Sequence, residues 1–354
     1  MKRLVFSFFS GLLISTAAFY LSFRNIPVSQ VIHYFNSVNY VWVFPSAAII
    51  LMSFGLRAIR WQLILSSTHT IGFWKAFHPL MTGFMLNCIL PGRMGELARP
   101  AILKKKEDVP FSTGLATVAA ERIFDVILLI ILCVIVLLTV QIDPYLNIPF
   151  GGYTLNRATL ITLGSGMIKL VLLLLGAIVL ISFKAARDLI QTAVIGIPHL
   201  FFFTSVSFRE KINNRLCSPL IHCMNNVTSV FSLLKDVKKT LICSTLSIGI
   251  WGLAALSYYA MAFGCPGIEL SFLELSAVMI IICVFIALPS VPGYWGIWEA
   301  GGIFAMALFG VTAETAAGYT LVNHVVQMIP VIIVGLISTF VSSIKGRNQM
   351  TVGR

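Results

Sequence analysis

The chain alternates long apolar runs with short basic brackets, and this pattern alone predicts its elements. Runs at 4–23, 41–58, 110–141, 158–183, 240–263 and 312–341 each meet the roughly 17–25 residues a helix needs to cross a bilayer. Lys2 and Arg3 precede the first run, which outlasts the ~7–15-residue apolar core of a cleaved signal. It therefore reads as a retained helix with the N-terminus cytoplasmic. Residues 24–40 are mixed in polarity and predict a short amphipathic piece. The second run closes on Arg57, Arg60 and Trp61, with both arginines on one helical face and the indole expected at the interface level.

Two further apolar stretches are interrupted. Residues 76–103 carry Pro91, Gly92, Arg93, Gly95 and Glu96, with Arg99 beyond, between Lys75 and the triplet Lys104, Lys105, Lys106. A single crossing would set basic flanks on opposite sides, against the tendency of Lys and Arg to stay cytoplasmic. A hairpin turning at Pro91-Gly92 keeps both flanks inside. Non-helical backbone at membrane depth requires cover by protein or a water-filled cavity. Residues 272–310 carry Pro292, Gly293, Gly296 and Glu299, and no basic residue occurs between Lys239 and Lys345. With six full spans and both termini cytoplasmic, this second broken segment dips from the outer side. The expected fold is an all-α polytopic bundle of six spans plus two re-entrant hairpins, with one membrane domain over 1–345 and a cytoplasmic tail at 346–354. The segment 184–239 reads as a cytoplasmic connector. Within it, Pro198 and His199 interrupt 189–207, which suggests interfacial helices rather than a span.

Composition agrees with this reading. Hydrophobic residues make up 58% and charged residues 11%, against roughly 25% charged in soluble domains. The net charge of +12 would suggest nucleic acid in a soluble chain. Here the basic residues cluster in loops between spans, as the positive-inside pattern requires, and nucleic-acid binding is discounted. Seven cysteines, several inside apolar runs, argue against a disulfide framework. Cys217, His222 and Cys223 lack a fourth ligand and the spacing of a zinc site, so neither metal nor cofactor is expected.

The two interruptions resemble each other. Pro91-Gly92-x-x-Gly95-Glu96 parallels Pro292-Gly293-x-x-Gly296-x-x-Glu299, and polar residues within a spanning helix follow each. In the first half, about 41–141, these are Glu121, Arg122 and Asp125. In the second, about 240–341, they are Asn323, His324 and Gln327. Opposite entry makes this an inverted repeat, the plan that sets transporter sites between broken helices.

Charged groups inside a membrane are costly and mark function by default. Glu121 and Asp125 are four apart on one face and repel unless a cation or proton intervenes. One reading of Arg93, Glu96, Arg99, Glu121, Arg122 and Asp125 is an ion-pair lattice that fixes the hairpin. The other adds Arg57 and Arg60 and counts five arginines against three carboxylates. That leaves guanidinium groups for an anionic headgroup, since their planar fork suits phosphate. Glu299 has His324 as a candidate partner, for proton relay or for structure.

At these residues the chain resembles the membrane region of the lysylphosphatidylglycerol synthase/flippases and their stand-alone flippase-like relatives. The resemblance covers about 1–345. It rests on Arg57-Ala58-Ile59-Arg60-Trp61, Pro91-Gly92-Arg93-Met94-Gly95-Glu96-Leu97-Ala98-Arg99, Glu121-Arg122-Ile123-Phe124-Asp125 and Pro292-Gly293-Tyr294-Trp295-Gly296-Ile297-Trp298-Glu299. It implies movement of an anionic phospholipid or polyprenyl-phosphate-linked intermediate across a bacterial or archaeal cytoplasmic membrane. Its partners would be membrane lipids and envelope-lipid biosynthetic enzymes. The chain ends at Arg354, so the aminoacyl-transferase activity of the bifunctional members is not carried over. Tyr294 stands where that branch has glycine, and no arginine precedes Glu299, so the stand-alone branch fits better. The alternatives are an intramembrane transferase or hydrolase acting on a lipid phosphate, and a non-transporting partner of envelope-lipid or glycolipid synthesis.

Overall fold

A computed structural model describes residues 2–139, 148–150, 153–155, 236–288 and 290–352, with scattered positions between 165 and 217. Most of the runs read at 158–183 and 189–207, most of the 184–239 connector, and His222 and Cys223 lie outside the described residues. The described chain is a helical membrane bundle. Its helices are α1 (Lys2–Phe23), α2 (Val28–Ser37), α3 (Val43–Leu65), α4 (Phe73–Ile89), α5 (Met94–Glu107), α6 (Phe111–Thr139), α7 (Val237–Ala262), α8 (Phe272–Phe285), α9 (Ile297–Ala307) and α10 (Ala313–Val352). A short antiparallel pair, β1 (Ile148–Phe150) and β2 (Tyr153–Leu155), follows α6. Among the described residues, Tyr40–Leu65, Val237–Ala262 and Ala313–Ser343 are long and apolar enough to cross a membrane.

The amphipathic piece is α2, which buries Val31 and Tyr34 one helical turn apart. The second run does not end at residue 58. It continues as helix to Leu65, which carries Arg57, Arg60 and Trp61 into the bundle. Trp61 is therefore not an interface residue. It is fully buried, and its indole N–H donates to Thr117 Oγ1 at 2.9 Å, because a buried indole needs an acceptor.

Both interruptions are hairpins built by the same run of backbone conformations. Leu90 and Val291 are extended, the conformation favoured before proline. Pro91 and Pro292 follow, then two left-handed residues in succession: Gly92 (φ 71°) and Arg93 (φ 53°), and Gly293 (φ 71°) and Tyr294 (φ 64°). Glycine enters this region without penalty, whereas Arg93 and Tyr294 hold it at some cost. Gly95 is not part of the break, as the sequence pattern suggested. It sits in the first turn of α5, where a Cβ would run into the Gly83 carbonyl, so its role is close helix approach. Its N–H donates to Asn87 Oδ1 at 2.8 Å, which closes the tip. Lys75 Nζ and Glu107 Oε2, 2.7 Å apart, close the far end. In the second hairpin Gly301 of α9 lies against Ile282 and Phe285 of α8.

The packing order repeats. Just as α3, α4, α5 and α6 pack in succession, so do α7, α8, α9 and α10, and each half lays its hairpin on the last helix of the other. The two first helices, α3 and α7, form an extensive interface and run antiparallel. Ser46 exchanges hydrogen bonds with Ser257 (2.8 and 2.9 Å), while Arg60, further along α3, reaches back to Ser247. Antiparallel equivalents are what an inverted repeat demands. One apolar core, including Leu80, Ile250, Leu275 and Met306, joins the halves.

Candidate functional site

The hairpin tips meet at the centre. Arg93 Nη2 of the first donates to the Ile286 carbonyl beside the second at 2.8 Å. Between the halves lies a cavity of about 230 Å³ whose wall includes Arg57, Arg93, Glu96, Arg122, Trp251, Tyr258, Tyr294, Trp298, His324 and Gln327. A second hollow of about 260 Å³ is bordered by both tips, with Asn87, Arg93, Ser290 and Tyr294 in its lining.

The charged cluster divides into two layers. Behind the wall, Arg60 and Arg99 are buried and tightly paired. Arg60 Nη1 donates to Asp125 Oδ1 and to Ser247 Oγ, each at 2.7 Å, and its Nη2 lies 3.9 Å from Glu121 Oε1. Arg60 is thus the cation that separates Glu121 from Asp125. Arg99 Nη2 donates to Glu121 Oε2 at 2.6 Å, with its guanidinium 4.1 Å from the Trp61 ring centroid. Removing one partner of such a pair costs about 3–5 kcal/mol, because a buried charge is left unanswered.

On the wall, the contacts are looser. Arg57 and Arg122 each stand 3.7 Å from Asp125 Oδ2, and Arg122 Nε lies 4.0 Å from Glu96 Oε1. Arg57 also lies near the rings of Phe54, Phe84 and Trp251. Buried guanidinium donors without an acceptor occur in both layers: Nε of Arg57 and Arg122 on the wall, and Nε of Arg99 and Nε and Nη2 of Arg60 behind it. Unanswered buried donors are rare and call for an explanation such as water or a ligand. The cavity wall therefore presents Arg57, Arg93 and Arg122 against the single carboxylate Glu96.

The second half carries a smaller counterpart, one acid hydrogen-bonded to one histidine. Glu299 and His324 are fully buried. His324 Nδ1 lies 2.6 Å from Glu299 Oε1, and His324 Nε2 lies 2.8 Å from the Gly293 carbonyl oxygen. Glu299 Oε2 accepts from the Gly296 N–H at 2.6 Å. Trp298 stacks flat on the imidazole, 4.4 Å between centroids and 4° between planes. Trp295 tilts against it at the same separation.

The sequence reading passed over α7. Ser247, Trp251 and Tyr258 share one face of it: Ser247 accepts from Arg60, Trp251 Nε1 donates to Asp125 Oδ1 at 3.2 Å, and Tyr258 lines the cavity. The available signal was their spacing of four and seven residues inside an otherwise apolar run. Asn87 and Gln327 also reach the site. Among the described residues, no group of three or more His, Cys, Asp or Glu side chains could hold a metal ion.

Antiparallel half-bundles, broken-helix hairpins meeting tip to tip and a basic cavity between them define an integral membrane protein with a central polar site. The chain belongs to the family described as the lysylphosphatidylglycerol synthase TM region, whose pattern matches residues 8–335. It is 25% identical over 315 residues to a UPF0104 membrane protein of Methanothermobacter thermautotrophicus, covering 86% of this chain and 82% of that one. A UPF0104 membrane protein of Pyrococcus horikoshii is 24% identical over 289 residues, or 79% of this chain and 81% of the relative. A 122-residue stretch, 33% of this chain, is 31% identical to the glycosyltransferase AglD of Haloferax volcanii. The chain spans only 19% of that protein's length. No solved structure matches the chain.

Proposed function

We propose that the protein is a lipid flippase of a prokaryotic cytoplasmic membrane, moving an anionic phospholipid or a polyprenyl-phosphate-linked intermediate between leaflets without a chemical reaction. The observation that carries this reading is the cavity wall, where Arg57, Arg93 and Arg122 are lined up with Glu96 as the one lining carboxylate, while Asp125 lies behind it, hydrogen-bonded to Arg60 and no nearer than 3.7 Å to Arg57 and Arg122. Arg57, Arg93 and Arg122 bind the headgroup, and Arg60 and Arg99 hold the electrostatic frame. Glu96, Glu121 and Asp125 position the arginines, and Glu299 with His324 serves the outer gate. The tails remain in the bilayer, which spares the cost of enclosing them. Archaeal relatives of matching length support the prokaryotic membrane assignment.

The test is reconstitution in vesicles with fluorescently labelled phosphatidylglycerol and dithionite quenching of the outer leaflet. Arg122→Gln and Arg93→Ala should each slow lipid movement by about tenfold, the factor a lost charge-assisted hydrogen bond is worth. Rates equal to wild type in both variants would sink the headgroup role. The AglD match favours a second reading, a non-transporting module of a glycolipid pathway. Co-purification with a lipid-linked-sugar enzyme, in a protein that moves no lipid, would support it.

A further inference from the structure

The Glu299–His324 pair does something its geometry alone specifies. Both ring nitrogens of His324 face acceptors: Nδ1 a carboxylate oxygen and Nε2 a peptide carbonyl. A carbonyl cannot donate, so Nε2 carries hydrogen. The hydrogen between Nδ1 and Oε1 then sits either on the ring, as imidazolium and carboxylate, or on Glu299, as neutral ring and carboxylic acid. In both forms the pair is neutral and contains one transferable proton. If that proton leaves, carboxylate and neutral imidazole remain, and the ring has one hydrogen for two acceptors. One of the two contacts must break. The bond to the carboxylate is charge-assisted and about twice as strong as the bond to the carbonyl, so the contact to Gly293 is the one released. That contact ties the tip of the second hairpin to α10.

We propose that Glu299 and His324 form the proton site of this carrier, holding one proton per cycle and freeing the second hairpin tip when it departs. The inference rests on the transport reading and adds its coupling ion. His324 reaches the cavity, and the released proton passes to water there. The charged groups sharing the cavity are Arg57, Arg93 and Arg122 on the positive side and Glu96 on the negative. The other titratable groups on its wall are Tyr258 of α7, Tyr294 in the turn, Cys88 of α4 and Cys283 of α8. Against Gly296, α1 brings Ser15 and Phe19, neither of which titrates near neutral pH. An anionic headgroup at the arginines favours the protonated pair, so proton and lipid bind together and affinity for the lipid falls as pH rises.

Trp298, stacked on the imidazole, is a built-in reporter, because a proton added to the pair changes the charge beside the indole whether it settles on the ring or on Glu299. Intrinsic fluorescence of the full-length protein in nanodiscs is recorded between about pH 5 and 9, the range in which a histidine switch operates. In a Trp74→Phe background, which removes the second Trp–His stack, against His78, emission should change through one transition across this range, and adding His324→Gln should abolish it. Glu299→Gln guards against misfolding of the first variant. Its amide oxygen still accepts from Gly296 and its NH₂ donates to Nδ1, so both ring contacts survive without the mobile proton. Its transition should vanish or move by at least about one pH unit, a tenfold change in proton affinity. A flat curve in that background, or one identical in both variants, overturns the proton site. In vesicles, a pH gradient should alter the rate of labelled phosphatidylglycerol movement in wild type and not in Glu299→Gln. A pH-insensitive wild-type rate overturns the coupling. A pair that titrates in a protein that moves no lipid at any pH overturns the transport reading instead.

Discussion

The two hairpins share a backbone and differ in what they carry. Each turns on an extended residue, a proline and two left-handed residues, and each lies on the last helix of the opposite half. The first is loaded with charge: Arg93, Glu96 and Arg99 reach toward α6 and the second tip. The second carries no full charge that is unanswered, only a hydrogen-bonded acid and imidazole wired to its own turn. One scaffold is thus used twice, once to hold an electrostatic frame and once to hold a proton-sized hydrogen-bond network. Inversion places both at the same cavity, so specialisation of the halves needs no new fold.

The sharpest way to break the comparison is to neutralise one carboxylate in each half. Asp125→Asn strips Arg60 of its closest counter-charge and leaves Arg57 and Arg122 without theirs. A loss of about 3–5 kcal/mol is expected, read as a large fall in the thermal unfolding midpoint of the detergent-solubilised protein. Next in size is Gly95→Ala, which forces a methyl against the Gly83 carbonyl and should cost about 1–3 kcal/mol, with the α4–α5 pair splaying. The same unfolding assay checks it, and an unchanged midpoint would contradict the close approach.

The turns themselves separate more finely. Gly293→Ala should cost about 2 kcal/mol, because the left-handed backbone penalty is joined by contact with Met328 Sδ at 3.0 Å and Trp295 Nε1 at 3.1 Å. Gly92→Ala meets open space and should cost only about 1 kcal/mol, the backbone penalty alone. Equal losses would show that the tips are packed alike. The smallest effect belongs to Glu299→Gln, within about 1 kcal/mol, since an amide preserves both hydrogen bonds. A collapse there matching that of Asp125→Asn would make the second hairpin as charge-dependent as the first.

Much of this was legible in the chain. Proline-glycine pairs inside apolar runs announced two hairpins, the first through basic flanks that forbid a simple crossing and the second through the count of spans between cytoplasmic termini. Paired short motifs announced a repeat. The acid and base of the second half were named as candidate partners because few other polar residues accompany them. The division among the arginines was not legible. Arg57 and Arg60 are one helical turn apart and look alike in sequence, yet one lines a cavity and the other is sealed against Asp125 and Ser247. The polar face of α7 was missed for a related reason. In an apolar helix, a face turned to lipid and one turned to protein have nearly the same composition.

What the sequence by itself determined was local: where helices can run, where a Pro-Gly pair can break them, and that several buried charges need partners. Only the tertiary structure decided which charges are partners. Pairing depends on distances between α3, α6 and α7, whose paired residues lie more than sixty positions apart in the chain. Whether a guanidinium serves the frame or faces a ligand depends on which side of one helix its neighbour occupies, and that is settled by antiparallel packing of the two halves.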